Sequence, residues 1–196
     1  MLAGMIDKYS GYAELALSEV AGTDYRVVSV ERPESPMVVV APHGGSIEIG
    51  TSEIAERIAG KEHSLFSFEG LKPYGRNRDL HITSHRFDHP ECLALVSRSQ
   101  VALGIHGCRG ESGIYIGGLD TDLKELLDQR LAAVGFRTVT EGHSYLGVNP
   151  LNICNRGARG RGAQLEFTRD LRDAPVRDEI ARVVRAALSD YVAMLE

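Results

Sequence analysis

Two histidines in this sequence each follow an apolar strand-like run. His43 comes directly after MVVVAP, and His106 ends the run VALGIH. Glu48 follows His43 by five residues, and the two glycines between them allow a sharp turn that returns the carboxylate toward the imidazole. Imidazole and carboxylate groups are zinc ligands, and a catalytic zinc site has three protein ligands and one open position. His43, Glu48 and His106 are therefore candidate ligands of one zinc ion.

Each candidate ligand also fits a structural role when it is taken alone. A histidine at a strand end is often hydrogen-bonded, and a carboxylate at the start of a helix is favoured by the helix dipole. The set favours a metal site, because three independent structural explanations would otherwise have to coincide. The sequence has no G-x-S-x-G nucleophile elbow, which argues against a covalent acyl-enzyme.

A fourth candidate, Glu166, lies inside the apolar strand AQLEF, between Leu165 and Phe167. A strand that is buried on both faces does not hold a carboxylate unless the group is paired or takes part in chemistry. Sheets of α/β proteins place their ligands at the carboxyl ends of strands. We therefore expect Glu166 to lie near the two histidines.

Strands and helices alternate along the chain and would position these side chains. The predicted strands are 25–30, 37–41, 63–68, 101–105, 136–140 and 163–168, and the predicted helices are 11–21, 51–59, 90–99, 119–134 and 175–195. Thr51 is the expected N-cap of the second helix. Continuous apolar strands between helices predict an α/β fold with a mixed, mostly parallel sheet in three layers, with helices on both faces.

Composition sets further bounds. A length of 196 residues predicts one domain, spanning 1–196, since a domain averages roughly 150 residues. The formal net charge of −5 gives no global reason to bind nucleic acid or an anionic membrane. No apolar run approaches the ~20 residues that span a bilayer, and the N-terminus lacks a secretory signal, so a cytoplasmic protein is expected. Oligomeric state is left open.

Three cysteines, Cys92, Cys108 and Cys154, are widely spaced and form no motif. An odd number at such spacing does not indicate a disulfide framework. We expect all three to be reduced and buried.

Four segments carry a resemblance to a known family. PHGGSIEIGTSE, GRNRDLHITSHRFDHP, GIHGC and NICNRGARGRGAQLEF together resemble the phage poly-γ-glutamate hydrolases, small zinc-dependent enzymes with a carboxypeptidase-like α/β fold. The similarity runs from about residue 25 to the C-terminal helix. It implies one zinc ion per chain held by His43, Glu48 and His106, with Glu166 as the catalytic carboxylate. Classical carboxypeptidases have His-x-x-Glu, whereas this chain has His-x₄-Glu.

Arginine dominates the basic side chains, with eighteen Arg against four Lys. In carboxypeptidases an Arg or Asn-Arg element binds the substrate carboxylate, and Arg76 and Arg78 occupy that place in the order of the sequence. Asn155 and Arg156 form a second Asn-Arg pair. A guanidinium can hold a carboxylate through two parallel hydrogen bonds. These four residues are candidate substrate ligands.

His81 is a fifth candidate for the substrate pocket. It lies on the run LHITSH, where a strand would place His81 and His85 on one face because they are four residues apart. The other interpretation of this run is a plain polar strand or turn.

The residues and the resemblance together predict a zinc-dependent hydrolase that cleaves the amide bonds of γ-linked polyglutamate. Zinc would activate a water molecule, and Glu166 would take its proton and pass it to the departing amine. The implied partner is an anionic γ-glutamyl polymer or another carboxylate-bearing amide. A phage-type enzyme of this kind would act in the cytoplasm or after release on host lysis.

Two alternatives use the same residues. A zinc amidohydrolase, deacylase or peptidase that acts on small N-acyl amino acids or cell-wall γ-glutamyl peptides would keep the metal site and change the pocket. A non-enzymatic α/β metal-binding module would tend to have a closed site of four Cys or His ligands. Three candidate ligands beside Glu166 favour an open site instead.

Overall fold

A seven-stranded mixed sheet organises the chain. The computed structural model describes residues 7–195. The strands are β1 Tyr25–Val30, β2 Met37–Gly45, β3 Ser64–Gly70, β4 Val101–Gly107, β5 Ile114–Gly118, β6 Thr138–Val139 and β7 Ala163–Phe167. The helices are α1 Tyr12–Ser18, α2 Thr51–Ala59, α3 Pro90–Arg98, α4 Thr121–Ala133 and α5 Val176–Ala193. The strand order is β1-β3-β2-β4-β7-β5-β6.

The four central strands are parallel, and apolar cores lie on both faces of the sheet. β3, β2, β4 and β7 run parallel, whereas β1 and β5 are antiparallel to their neighbours β3 and β7. On one face, the core includes Ile54 of α2, Leu123 of α4 and Ile180 of α5. On the other face, Leu15 of α1 and Val96 of α3 belong to a second core. This arrangement confirms the predicted α/β fold with helices on both faces.

β2 and β4 are neighbours in the sheet although β3 lies between them in the sequence. From β2 the chain passes through α2 to β3 on one side, then through α3 to β4 on the other side of β2. Such a reversal of strand order leaves a crevice at the carboxyl ends of the strands, where open α/β sheets bind ligands. His43 and His106 lie near the carboxyl ends of these two strands.

A register slip in β2 lies beside His43. Between Ala41 and Gly44, three steps along β2 match only two steps along β3, so β2 carries one extra residue. Alternation from Ala41, which belongs to the core on the α2 side, would put His43 on that same side. A bulge redirects the side chains that follow it. His43 consequently lies against His106, with their Nδ1 atoms 3.2 Å apart.

Most predicted elements are confirmed to within a few residues, and β1 and α2 have the predicted bounds. β5 was not predicted, because five residues that end in two glycines give a weak strand pattern. The run 81–85, for which the sequence left a strand or a turn open, is not a strand: it follows a short 3₁₀ turn, Asn77–Leu80, and enters a turn at Ser84.

The predicted N-cap of α2 was also wrong. Gly50 holds the N-cap position in a left-handed conformation, with φ of 97°, which glycine adopts without steric cost. The Thr51 hydroxyl donates instead to the carbonyl oxygens of Glu48 at 2.8 Å and His43 at 3.2 Å. Thr51 therefore ties the turn between these two residues to the start of the helix.

The three cysteines are buried and unpaired, as predicted. Within residues 7–195, no helix is both long enough and apolar enough to cross a bilayer.

The arginine-rich loop before β7 is anchored on Asp120, whose side chain is fully buried. This carboxylate accepts hydrogen bonds from the Leu123 backbone N–H at 3.3 Å, Arg159 Nη1 at 3.1 Å and the Tyr191 hydroxyl at 2.7 Å. Arg161 Nε lies 3.8 Å from the same carboxylate. Two arginines of the loop therefore hold it against α4 and α5.

Replacing Asp120 by Ala is expected to lower the free energy of unfolding by about 3 kcal/mol, because it leaves a largely buried guanidinium without its partner and removes the α4 cap. Urea denaturation measures the change. Asp122→Ala, on the exposed side of the same helix, is expected to stay within about 0.5 kcal/mol of the wild type. Equal losses in the two variants would contradict this account.

Candidate metal centre and active site

His43, Glu48 and His106 converge at the carboxyl ends of β2 and β4. The two histidine Nδ1 atoms lie 3.2 Å apart. Glu48 Oε1 lies 3.2 Å from His43 Nδ1, and Glu48 Oε2 lies 4.0 Å from His106 Nδ1. One ligand atom from each residue lies within 4.8 Å of the other two. The structure thus brings together the three predicted metal ligands.

The outer nitrogens of both imidazoles contact the segment 82–84. His43 Nε2 lies 2.8 Å from the Ile82 carbonyl oxygen, which can only accept, so Nε2 carries the proton. Ser84 Oγ lies 3.3 Å from His106 Nε2. Partners at the outer nitrogen orient a ligating histidine and select its tautomer. Both Nδ1 atoms are therefore directed toward the same point.

The charges of the cluster depend on one another. Burial opposes ionisation of Glu48, but His43, His106 and the Gly107 backbone N–H, which donates to Glu48 Oε2 at 2.8 Å, lower the pKa of this carboxyl. Burial lowers the pKa of His43, but the Glu48 carboxylate outweighs it and raises the pKa above its usual value. Burial and His43 lower the pKa of His106 to about 3.

These residues fit a divalent cation. Two Nδ1 atoms face each other in a buried setting, where their lone pairs repel unless a proton or a cation lies between them. Two histidines and one glutamate are a known ligand set of catalytic zinc, and three ligands leave one position open for water or substrate.

Glu166 lies on the neighbouring strand, and its Cα pairs with that of His106. The carboxyl is 8% exposed, and Gln164 Nε2 donates to its Oε1 at 3.2 Å. Burial and the Glu48 carboxylate raise the pKa of Glu166 well above its usual range, and Arg172 offsets part of that rise. Glu166 is thus a nearly buried acid next to the three candidate ligands.

A cavity of about 280 Å³ opens beside Glu166. Its walls come from residues 83–85, from 144–145, 147–149 and 152 of the loop before β7, and from Gln164 and Glu166. Hydroxyl, amide and imidazole groups supply its polar surface, and among the described residues that line it there is no Arg or Lys. The cavity therefore reaches Glu166 and Ser84 beside the candidate metal centre, and most of the groups that line it are uncharged hydrogen-bonding groups.

The five predicted substrate ligands do not gather in one place. Arg76 and Arg78 are exposed at the 3₁₀ turn that follows β3. This turn lies on the side of the sheet where the parallel strands have their carboxyl ends, which is also the side of the candidate metal centre. Asn77 between them is buried, accepts from the Lys72 backbone N–H at 2.9 Å and donates to the Lys72 carbonyl oxygen at 2.7 Å. The turn is thus anchored, with the arginines outside.

Asn155 and Arg156 contact the protein itself. Asn155 Nδ2 donates to the carbonyl oxygens of Gly147 at 2.7 Å and Asn149 at 2.9 Å. Arg156 Nη1 lies 3.5 Å from the Phe87 carbonyl oxygen. These contacts stabilise the loop around the cavity, and a direct role of either residue in substrate binding stays a prediction.

His81 packs against the metal centre. Its ring stacks on that of His43, with centroids 4.1 Å apart. Its Nδ1 lies 2.8 Å from Asp7 Oδ1, and Asp7 Oδ2 accepts from the Thr83 backbone N–H at 2.9 Å. Burial and His43 lower the pKa of His81 to about 4. His81 thus supports His43, and its predicted substrate contact stays a prediction.

Several residues around the site were missed. Ser84 and Asp7 act through contacts between distant parts of the chain, for which the sequence carries no signal. Arg172, which is 7% exposed and donates to the Ile49 carbonyl oxygen at 2.8 Å, gave no signal either. Gln164 could have been found, because it precedes Glu166 by two residues and shares its strand face.

The fold belongs to the carboxypeptidase-like class. A presumed carboxypeptidase A from Shewanella denitrificans OS-217 superposes with a TM-score of 0.52 at 14% identity, over 85% of this chain and 61% of that one. The sequence profile of the poly-gamma-glutamate hydrolases matches residues 9–190, and the chain belongs to that family.

Two further relatives are considerably more similar. The structure of a bacteriophage poly-gamma-glutamate hydrolase superposes with a TM-score of 0.91 at 29% identity, covering 96% of this chain and 100% of that one. UPF0714 protein YndL of Bacillus subtilis strain 168 is 39% identical over 85% of this chain and 66% of its own length. The zinc-free structure of YndL superposes with a TM-score of 0.83 at 33% identity, over 96% and 98% of the two chains.

We expect the purified wild-type protein to hold close to one zinc ion per chain and His43→Ala to hold almost none, because the variant loses one of three ligands. Elemental analysis after dialysis measures the ratio. His85→Ala is the matched control, since His85 lines the cavity but is outside the ligand cluster. Equal metal content in the two variants would rule out His43 as a ligand.

Proposed function

We propose that this protein is a zinc-dependent hydrolase that cleaves the amide bonds of γ-linked polyglutamate. The observation that carries the proposal is the convergence of His43, Glu48 and His106 next to Glu166 in a chain of this family. The high structural similarity to the bacteriophage poly-gamma-glutamate hydrolase supports the substrate class.

In this proposal, His43 and His106 bind one zinc ion per chain through Nδ1, and Glu48 binds through its carboxylate. Bound zinc supplies Lewis-acid polarisation of a carbonyl group and lowers the pKa of water. Ile82 and Ser84 keep the imidazoles in the ligating orientation.

Glu166 moves the proton. It takes one from the attacking water and delivers it to the departing amine nitrogen, which is the role of a general base that then acts as a general acid. Burial and the Glu48 carboxylate raise the pKa of Glu166, and a higher pKa makes its carboxylate a stronger base toward the proton of water. Its place on β7 holds this group without a mobile loop.

Arg76 and Arg78 are proposed to bind carboxylates of the polymer outside the cavity. Both are exposed on the edge of the sheet that carries the metal centre. An overall charge of −5 would repel a polyanion, so local guanidinium groups are needed to offset that repulsion.

A second candidate is hydrolysis of small γ-glutamyl or N-acyl amides by the same site. The size of the cavity, about 280 Å³, favours it, because that volume lies just below the usual range for small-molecule pockets. Parallel assays on γ-linked polyglutamate, short γ-glutamyl peptides and N-acyl amino acids separate the two. Turnover of the small amides with an untouched polymer would contradict the first proposal.

Glu166→Gln is expected to keep the zinc content and to reduce polymer hydrolysis by about 10²–10⁴-fold, because the amide cannot accept the proton of water. Release of new amino groups measures hydrolysis. Glu125→Gln, on the exposed side of α4, makes the same chemical change and is expected to behave as wild type. Retained activity in Glu166→Gln would make this residue a structural carboxyl group.

The double variant Arg76→Ala/Arg78→Ala is expected to raise KM for the polymer several-fold while kcat changes little, since the lost contacts are equal in the ground and transition states. The effect should shrink as salt is added, because exposed charge interactions are screened. Arg182→Ala, an exposed arginine of α5, serves as the control. Unchanged KM at low salt would exclude these two arginines.

A further inference from the structure

Gln164 is a nearly buried amide between the sheet and the loop that walls the cavity. It is 4% exposed, and its Cα partners on the two flanking strands are both glycine, Gly104 of β4 and Gly117 of β5. A Cβ at Gly147 would lie only 2.7 Å from Gln164 Cδ, so the loop backbone lies directly on the amide. The surrounding backbone therefore restricts where the two ends of the amide can point.

Backbone groups determine which end of each amide faces which neighbour. The Cys154 N–H can only donate, so the Asn152 atom 3.2 Å from it is Oδ1. Asn152 Nδ2 consequently donates to Gln164 Oε1 at 2.8 Å. Gln164 Nε2 then faces the Tyr145 carbonyl oxygen at 3.1 Å, which can only accept, and Glu166 Oε1 at 3.2 Å. The Gln164 amide can satisfy these three neighbours in one orientation only.

We infer that Gln164 is a positioning residue for Glu166 and that Asn152 sets the direction of the Gln164 amide. The hydrogen bond to Oε1 fixes the rotation of the carboxyl group and leaves Oε2 to handle the moving proton. Proton transfer requires the base within hydrogen-bond reach and correctly oriented, so a carboxyl that rotates freely transfers it less often. The inference rests on the proposed function, in which Glu166 moves that proton.

Gln164→Met tests the hydrogen bond directly, because methionine has a similar length and no donor. We expect kcat to fall at least tenfold, KM to change less than twofold and zinc content to stay the same. Gln129→Met, an exposed glutamine of α4, controls for the chemical change. A rise in KM with kcat retained would mean that Gln164 contacts substrate, and it would overturn the inference.

Asn152→Asp tests whether Asn152 acts on Glu166 through the Gln164 amide. An aspartate oxygen in place of Nδ2 repels Gln164 Oε1, while the Tyr145 carbonyl oxygen still opposes the reversed orientation, so the amide loses its satisfied orientation and its hydrogen bond to Glu166 is disturbed. We expect a loss of kcat similar to that of Gln164→Met, with Gln129→Glu unaffected. The fall in kcat of the double variant should be no larger than that of the more impaired single variant, since both substitutions act through one hydrogen bond. If the two falls in kcat multiply in the double variant, the inference that Asn152 acts through Gln164 would be overturned.

The side-chain amide signal of Gln164 provides a readout that needs no turnover. In ¹⁵N-labelled protein, the pair of cross-peaks that disappears in Gln164→Met belongs to Gln164. These peaks should shift in Asn152→Asp and in Glu166→Gln, and stay in place in Gln129→Glu. Unmoved peaks would overturn the inference alone, whereas an inactive wild type with shifting peaks would contradict only the proposed function.

Discussion

The apposition of two imidazole nitrogens is the constraint on which the rest of this structure depends. His43 Nδ1 and His106 Nδ1 lie 3.2 Å apart with the Glu48 carboxylate beside them, and a bound cation would satisfy all three groups at once. Three features of the fold produce that arrangement. The strand order places β2 against β4, the bulge turns His43 toward His106, and residues 82–84 hold the outer nitrogens.

The candidate ligands could be predicted because their chemistry and their places at strand ends are both visible in the sequence. The bounds of α2 were predictable for a similar reason, since apolar spacing and a following glycine are local signals. The bulge was not, because simple alternation from Ala41 would put His43 on the same face as Ala41, away from His106. One sheet carries both cores, in keeping with the prediction of a single domain, which stays a prediction.

Arginine roles were harder to predict, since sequence shows a charge but not its partner. In the sequence, Arg159 is one of several arginines in a loop. In the fold, it bonds Asp120 and Tyr191, which are 39 and 32 residues away along the chain. Asn155 likewise donates its side-chain amide hydrogens to backbone carbonyl oxygens of its own loop. Apart from Glu166 itself, the cavity is lined instead by groups other than Arg and Lys, most of them uncharged, which no count of basic residues would suggest. Only contacts between residues that are distant in the sequence show which arginines anchor a loop and which are exposed.

The cavity and the metal centre are made of different kinds of backbone. The imidazoles and Glu166 lie on strands of the sheet, whereas much of the cavity wall is the irregular loop 144–152, in which Leu146 and Val148 are exposed. Mutations along this loop can therefore change the shape of the cavity while His43 and His106 keep their places on the strands. Asn152 differs from these residues, because a loop graft that replaces it also removes the hydrogen bond to Gln164, the amide that donates to the Glu166 carboxyl.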